Sequence, residues 1–292
     1  MNLKNSKTTM IKTIRCTAIA GLLATTCVSN TMAETGETQM SYKQKVVDLL
    51  KSIETNESKP VSYINPHQYT QHNLAVADGL SGFGAVLAAL PANSAKVNTV
   101  RAFQDGNYVF THTEYNFFGP KIGFDIFRFE DDLIVEHWDN LQGTPKTTNP
   151  SGRTMIDGAL EVTDLSKSAA NKTLVTNFVT DILLNGEMSK LQSYFNGDHY
   201  IQHNPNIADG LSGLGAALEA LAKQGIQMKY EKVHHVLGEG NFVLVVSEGS
   251  FAEQHTSFYD LFRVENGKIA EHWDTIEAIP TKDTWKNNNG KF

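Results

Sequence analysis

The chain has 292 residues, 40% of them apolar and 20% charged, with 22 Gly, 8 Pro and a formal net charge of −7. Those proportions exclude a disordered, collagen-like or fibrous chain. An acidic chain without a Lys/Arg block also argues against a nucleic-acid partner, because phosphate binding needs clustered cations.

In chain order, the first feature is a basic start, with Lys4, Lys7, Lys12 and Arg15 and no acid before Glu34. An apolar run from Cys16 to Val28 follows, then Thr31-Met32-Ala33. This pattern predicts a secretory signal peptide over residues 1–33, cleaved after Ala33, and the run is too short for a bilayer span. A lipoprotein signal ending at Cys27 is the rival, but Ala24 and Thr26 fit poorly around it. The expected product is periplasmic or secreted, without a membrane anchor. Both cysteines, Cys16 and Cys27, fall inside the signal. Disulfides, Cys-based zinc sites and cysteine nucleophiles are then excluded from the mature chain.

Helical spacing comes next: Val46, Val47, Leu49, Leu50 and Ile53 share one face at 3.6 residues per turn. Pro60 is expected to weaken any short helix after it. Residues 69–84 (YTQHNLAVADGLSGFG) supply a loop, a turn and a helix, with Ser81 placed to cap that helix. Strand-like segments follow, punctuated by Asp105-Gly106-Asn107, and end in FDIFRFEDDLIVEHWD over residues 124–139. The stretch 143–163 carries Gly, Pro, Thr and Ser without periodicity and is read as a linker.

The same order then returns. Leu174, Val175, Phe178, Val179, Ile182 and Leu183 predict a helix, and a short one is expected around Met188–Tyr194. Residues 200–215 (YIQHNPNIADGLSGLG) repeat 69–84 at an offset of 131, with Ser212 in the capping place. Residues 259–274 (YDLFRVENGKIAEHWD) repeat 124–139 at an offset of 135. The four extra residues fall around Ala222–Ile226 and near the 249–257 hairpin, where insertions cost little. Such a long period means tandem domains, not a solenoid. The boundaries drawn are 41–142 for domain 1 and 164–284 for domain 2. Helices followed by antiparallel strands make each an α+β domain.

These motifs resemble the SnoaL-like, polyketide cyclase-like proteins of the nuclear-transport-factor-like and ketosteroid isomerase-like superfamily. QHN, ADGLSG and the closing EHWD carry the resemblance in both halves. It implies two tandem cones, each with helices packed on a strongly curved antiparallel or mixed sheet around a cavity. It also implies pairing through the outer sheet faces, here as an intrachain pseudo-dimer burying Trp138 and Trp273. Members range from cyclases, isomerases and epoxide hydrolases to non-catalytic binding modules, so the fold does not fix the activity.

Strand alternation puts His137 and Asp139 on one face and Glu136 and Trp138 on the other; His272 and Asp274 stand likewise against Glu271 and Trp273. The resemblance makes Asp139 and Asp274 the acid/base candidates, with His137 and His272 as neighbours. A carboxylate in an apolar cavity gains proton affinity and becomes a base near neutral pH. Tyr69, His72, Tyr200 and His203 could present donors to an oxyanion. The alternative for His72 and His203 is structural, and for Asn73 and Asn204 the structural role is preferred. Asp125 and Asp260 sit in apolar strands and must be paired or line a polar cavity; Arg128 and Arg263 lie on the opposite face. Glu114 and Glu248 read as sheet-edge charges. Trp138, Trp273 and His234 complete the candidate substrate contacts. His234-His235 against Val100-Arg101, and His112 against Val246, suggest different cavity linings in the two copies, with copy two favoured as the working one.

No HxH, HExxH, P-loop, dinucleotide or G-x-S-x-G pattern occurs, so neither cofactor nor metal is expected, although His72, His137 and Asp139 could meet in space. The expected activity is cyclase, isomerase or lyase chemistry on a small apolar carbonyl compound. The alternative is a module that binds a small hydrophobic ligand without turnover.

Overall fold

The computed structural model describes residues 40–91 and 93–292; the expected signal peptide and both cysteines lie outside that range. Helix α1, Tyr42–Thr55, starts where Ser41 Oγ accepts the Gln44 N–H at 3.2 Å, and ends at Asn56, whose φ of 60° is left-handed. It buries Val46, Leu49 and Leu50. A 3₁₀ turn, Lys59–Tyr63, follows with Pro60 in its first positions. There the proline starts the turn instead of weakening it, since its missing N–H would have had no partner.

Next come strand β1 (Thr70–Gln71), helix α2 (Gly79–Ala89) and four strands, β2 (Lys96–Asp105), β3 (Tyr108–Asn116), β4 (Pro120–Glu130) and β5 (Leu133–Gly143). Domain 2 repeats the order with α3 (Ser168–Phe178), which runs on as a π-helical turn over Val179–Leu184, and a 3₁₀ turn, Met188–Tyr194. Then follow β6 (Ile201–Gln202), α4 (Gly210–Lys223), β7 (Met228–Glu239), β8 (Phe242–Phe251), β9 (Gln254–Glu265) and β10 (Lys268–Ala278). The capping serines expected for α2 and α4 lie within the first turn. The N-cap residues are Asp78 and Asp209, and their carboxylates reach back to accept the Gln71 and Gln202 N–H groups. Gly82 and Gly213 allow this tight entry: a Cβ on either would stand 1.8 or 2.3 Å from the carbonyl oxygen of Ala77 or Ala208.

Each domain is α+β, with a five-stranded mixed sheet ordered β1-β5-β4-β3-β2 or β6-β10-β9-β8-β7. The two-residue first strand is parallel to the last; the other pairs are antiparallel. Bulges between Thr99 and Arg101, Arg128 and Phe129, Val233 and His235, and Ile269 and Glu271 break the ladders, and β7 adds one between Tyr230 and Lys232. Such bulges bend a sheet around the helices on its inner face.

Both faces of the central strands are buried, which explains their nearly continuous apolar sequence. On the inner face of sheet 1, Tyr69, Val97, Val109, Tyr115 and Phe127 pack with α1; on that of sheet 2, Val243, Val245, Phe262 and Val264 pack with α3. The outer faces pack on each other through Phe103, Phe110, Phe124, Ile126 and Trp138 against Phe242, Leu244, Tyr259, Leu261 and Trp273. Asn140, wholly buried, crosses this seam to donate to the Thr275 carbonyl at 2.8 Å.

The linker is neither loose nor featureless. Asn149 Nδ2 donates to the Gln202 and Ile207 carbonyls, so the chain after β5 lies along the QHN loop of domain 2. The C-terminal tail does the reciprocal: Asn287 Nδ2 donates to the Asn73 and Val76 carbonyls of domain 1. Gly152 and Gly290, three residues beyond each asparagine, both have positive φ, at 80° and 84°. The segments Asn149–Arg153 and Asn287–Lys291 are therefore a third repeated element, two crossed straps.

Candidate functional site: a buried Asp–His–Asp cluster in each domain

The site grows from the pairing of the first and last strands. In domain 2, Gln202 lies beside His272 and Ile201 beside Glu271. Alternation then sends Gln202 and Asn204 to the inner face and His203 to the outer one. Gln202 Oε1 accepts the N–H groups of His203 and Asn204, and also accepts from His272 Nδ1 at 2.9 Å. An amide oxygen can only accept, so His272 Nδ1 carries a proton and its Nε2 is turned to Asp260 Oδ1 at 3.0 Å. The Tyr230 hydroxyl is 3.2 Å from Asp260 Oδ2. Asn204 Nδ2 donates to Asp274 Oδ2 at 2.6 Å, while Asp274 Oδ1 is buried without a hydrogen-bond partner.

This environment moves protons. Burial, with the nearby Asp260 charge adding to it and His272 opposing it, pushes the Asp274 carboxyl up to about 6. Burial by itself would lower His272, but Asp260 and Asp274 outweigh it and the net displacement is upward. Tyr200 and Tyr230 are driven far above the ordinary phenol value, first by burial and then by the two carboxylates, so they stay protonated.

Domain 1 builds the same cluster. Gln71 Oε1 accepts from His137 Nδ1 at 2.8 Å, His137 Nε2 is 3.2 Å from Asp125 Oδ1, and Asn73 Nδ2 donates to Asp139 Oδ2 at 2.6 Å. Two groups differ. The phenol on Asp125 comes from Tyr115 on β3, at 2.6 Å, whereas Tyr230 comes from β7. In addition Lys291 Nζ, from the C-terminal strap, is 3.6 Å from Asp139 Oδ1.

The remaining sequence candidates lie elsewhere. His72 and His203 do not face the clusters. His203 Nδ1 meets the Thr154 carbonyl at 2.8 Å and its Nε2 meets Glu271 Oε1 at 2.9 Å; His72 meets the Gly290 carbonyl and Glu136 in the same way. Their rings stack on Trp273 and Trp138, under the straps, so neither serves an oxyanion, and His72 does not meet His137 and Asp139. The two tryptophans belong to the seam between the sheets and not to a substrate cavity. His234 occupies a bulge, held by Glu248 at 2.8 Å and stacked on Phe292, away from the inner face. The divergent positions Arg101, His112 and His235 are seam residues as well. Arg101 lies over Trp273 and donates to the carbonyls of Ile156, Asp157 and Ala159; His235 lies edge-on to Trp138. They do not give the two copies different cavity linings.

Conversely, Asn73 and Asn204, assigned a structural role from sequence, are the groups that hold the terminal-strand aspartates. Tyr69 lines the domain 1 cavity, as do Asp125, His137 and Asp139. That cavity measures about 90 Å³ and is otherwise walled by Leu49, Leu50, Ile53, Phe83 and Phe127. In domain 2 a cavity of about 330 Å³ lies among Ile207, Leu218, Leu221, Met228, Phe251 and Ile276, with Asn204 in its wall. A wider hollow of about 770 Å³ lies along Arg153, Asp198, Asp209 and Arg263, and Asp274 is in the wall of neither.

In each cluster one ligand atom from each of the three residues lies within 4.8 Å of the others, close enough for a cation to bridge. Most of the lone pairs it would need already have partners in the histidine, the tyrosine and the asparagine; Asp139 Oδ1 and Asp274 Oδ1 are the exceptions, each buried without a hydrogen-bond partner. Proton holding fits the cluster better than metal binding. Among the described residues, no helix is long and apolar enough to cross a membrane.

Residues 175–272 match the SnoaL-like domain family. No curated protein sequence matches the chain. Similar solved structures include an NTF2-like protein of unknown function from Cytophaga hutchinsonii (14% identity, 36% of this chain and 94% of that one, TM-score 0.32). Others are an LEH-like epoxide hydrolase of M. tuberculosis (20% identity, 38% and 85%, TM-score 0.30) and a protein of unknown function with a cystatin-like fold from Xanthomonas campestris (18% identity, 40% and 98%, TM-score 0.31).

Proposed function

We propose that the chain is a tandem pair of SnoaL-like domains and an exported acid/base catalyst acting on a small apolar carbonyl compound, with Asp274 as the base. The observation that carries this is Asp274 Oδ1, buried without a donor on a carboxyl whose proton affinity is raised to about 6. At neutral pH such a carboxylate is mostly ionised yet basic enough to accept a proton from carbon. It takes a proton α to the substrate carbonyl, and the electron pair moves onto the carbonyl oxygen. Asn204, which holds Asp274 Oδ2 and belongs to the wall of the domain 2 cavity, donates to that oxygen in this reading. His272, held between Gln202 and Asp260, fixes the charge beside Asp274. Returning the proton to another atom completes an isomerisation, a cyclisation or an elimination without a cofactor.

The test is Asp274→Asn against a panel of small apolar ketones and aldehydes. Turnover is abolished while ligand affinity, read by calorimetry, stays within a few-fold. If the parent binds such compounds and turns none over, the second reading stands: a ligand-binding module. The small domain 1 cavity, whose carboxylate has a lysine beside it, favours that role for domain 1. Export rests on the N-terminal segment, and N-terminal sequencing of the protein from the periplasm or medium would check it: a start at Glu34 supports cleavage after Ala33.

A further inference from the structure

The two clusters share their backbone frame, and the charges around them break the symmetry. On the domain 1 side, Glu277 Oε2 accepts the Leu141 N–H at 3.1 Å and Lys291 Nζ at 2.6 Å. Lys291 is 5% exposed, and Asp139 Oδ1 has no other cation near it. The domain 2 side lacks both members of this arrangement. The place of Glu277 is taken by Gln142, whose Oε1 accepts the Ile276 N–H at 2.8 Å. The place of Lys291, four residues past the strap asparagine, is taken by Arg153. That guanidinium pairs with Asp209 at the surface, 2.7 Å away, and leaves Asp274 alone.

We propose that Lys291 is a positioning residue: carried by the C-terminal strap onto the opposite domain, it pairs with Asp139 and leaves Asp274 as the terminal-strand carboxylate without a lysine partner. The proposal rests on the acid/base reading of Asp274. The other titratable groups facing Asp139 are Asp125, His137, Tyr69 and Tyr115 of its own domain, and Glu277 and Tyr259 of the other. None of these is a fixed cation, so Lys291 dominates the field at that oxygen. Despite its burial, Lys291 is kept charged by Glu277 and Asp139, which raise its proton affinity.

The experiment follows the carboxyl carbons of Asp139 and Asp274 by NMR in the full-length protein as pH is varied. In Lys291→Met the Asp139 midpoint rises, whereas Asp274 does not move. In Glu277→Gln, where Lys291 has only Asp139 left, the Asp139 midpoint falls. Lys291→Arg restores the parent behaviour. Opposite shifts in the first two variants cannot come from a merely structural strap. An Asp139 midpoint unmoved in Lys291→Met, or moved the same way in both, overturns the proposal. An ordinary midpoint at Asp274 in the parent would overturn the acid/base reading instead, and is read on a different resonance.

Discussion

Domains 1 and 2 place the same Asp–His–Asp cluster on the same pair of strands, and they differ in what approaches it. A phenol reaches the first aspartate in both, from Tyr115 on β3 in one and from Tyr230 on β7 in the other. The pairing shows how the exchange is made: Tyr115 stands opposite Val97, and Gly249 opposite Tyr230. A large side chain has changed strands across one rung of the ladder while its hydroxyl stayed near the carboxylate. Among the described residues, a lysine reaches the second aspartate in domain 1 and not in domain 2. Conservation of geometry therefore does not mean conservation of the charges around it, and a single charge within 4 Å is a large local difference.

The largest expected difference between the domains is in turnover. Asp274→Asn should lower the rate of a carbonyl substrate by about 10²-fold or more, the usual contribution of a placed base. Asp139→Asn should leave it within a few-fold. Equal losses in steady-state assays would mean that both sites work and would remove the distinction drawn here.

Stability should be asymmetric too. Arg101→Ala takes the guanidinium donor from the Ile156 and Ala159 carbonyls, leaves that of Asp157 with Trp273 Nε1 alone, and removes the cation over Trp273; unfolding by denaturant should show a loss of ~2–4 kcal/mol. Burial pulls the Arg101 guanidinium down only to about 10, so the group lost is charged at neutral pH. His235→Ala, which removes ring contacts to Trp138 and Tyr108, should cost about 1 kcal/mol.

A smaller effect sharpens the comparison through pH. Native Asp274 binds its proton more tightly than the unfolded chain does, at about 6 against 3.8. Its contribution is thus complete below pH 3.8 and is lost as pH rises through 6. The loss is on the order of 3 kcal/mol for a shift of that size. Denaturation curves across this window should fall more steeply for the parent than for Asp274→Asn, which has no proton to lose.

The tandem arrangement, the α+β order of elements and the inward placement of His137 and Asp139 were legible in sequence because repeats and strand alternation are local signals. The QHN motif was misjudged for a related reason. Taken as a loop, it offered its histidine as the reactive group. As a two-residue strand it alternates, so the glutamine and asparagine face inward and the histidine outward. The tyrosine exchange was hidden because aligning the copies puts Tyr115 against glycine. The straps were hidden because Asn149–Arg153 and Asn287–Lys291 share only Asn, Gly and a basic residue, at a spacing that matches neither main repeat. A lysine next to a chain end reads as solvated; only the fold carries Lys291 to a carboxylate on the opposite domain.

The most direct test is the titration of the Asp274 carboxyl carbon by NMR in the intact protein. The account predicts a midpoint near 6, about two units above an ordinary aspartate, lost as a signal in Asp274→Asn. A midpoint near 4 would mean that Asp274 is solvated like any surface carboxylate, and that the cluster is not a proton-accepting site.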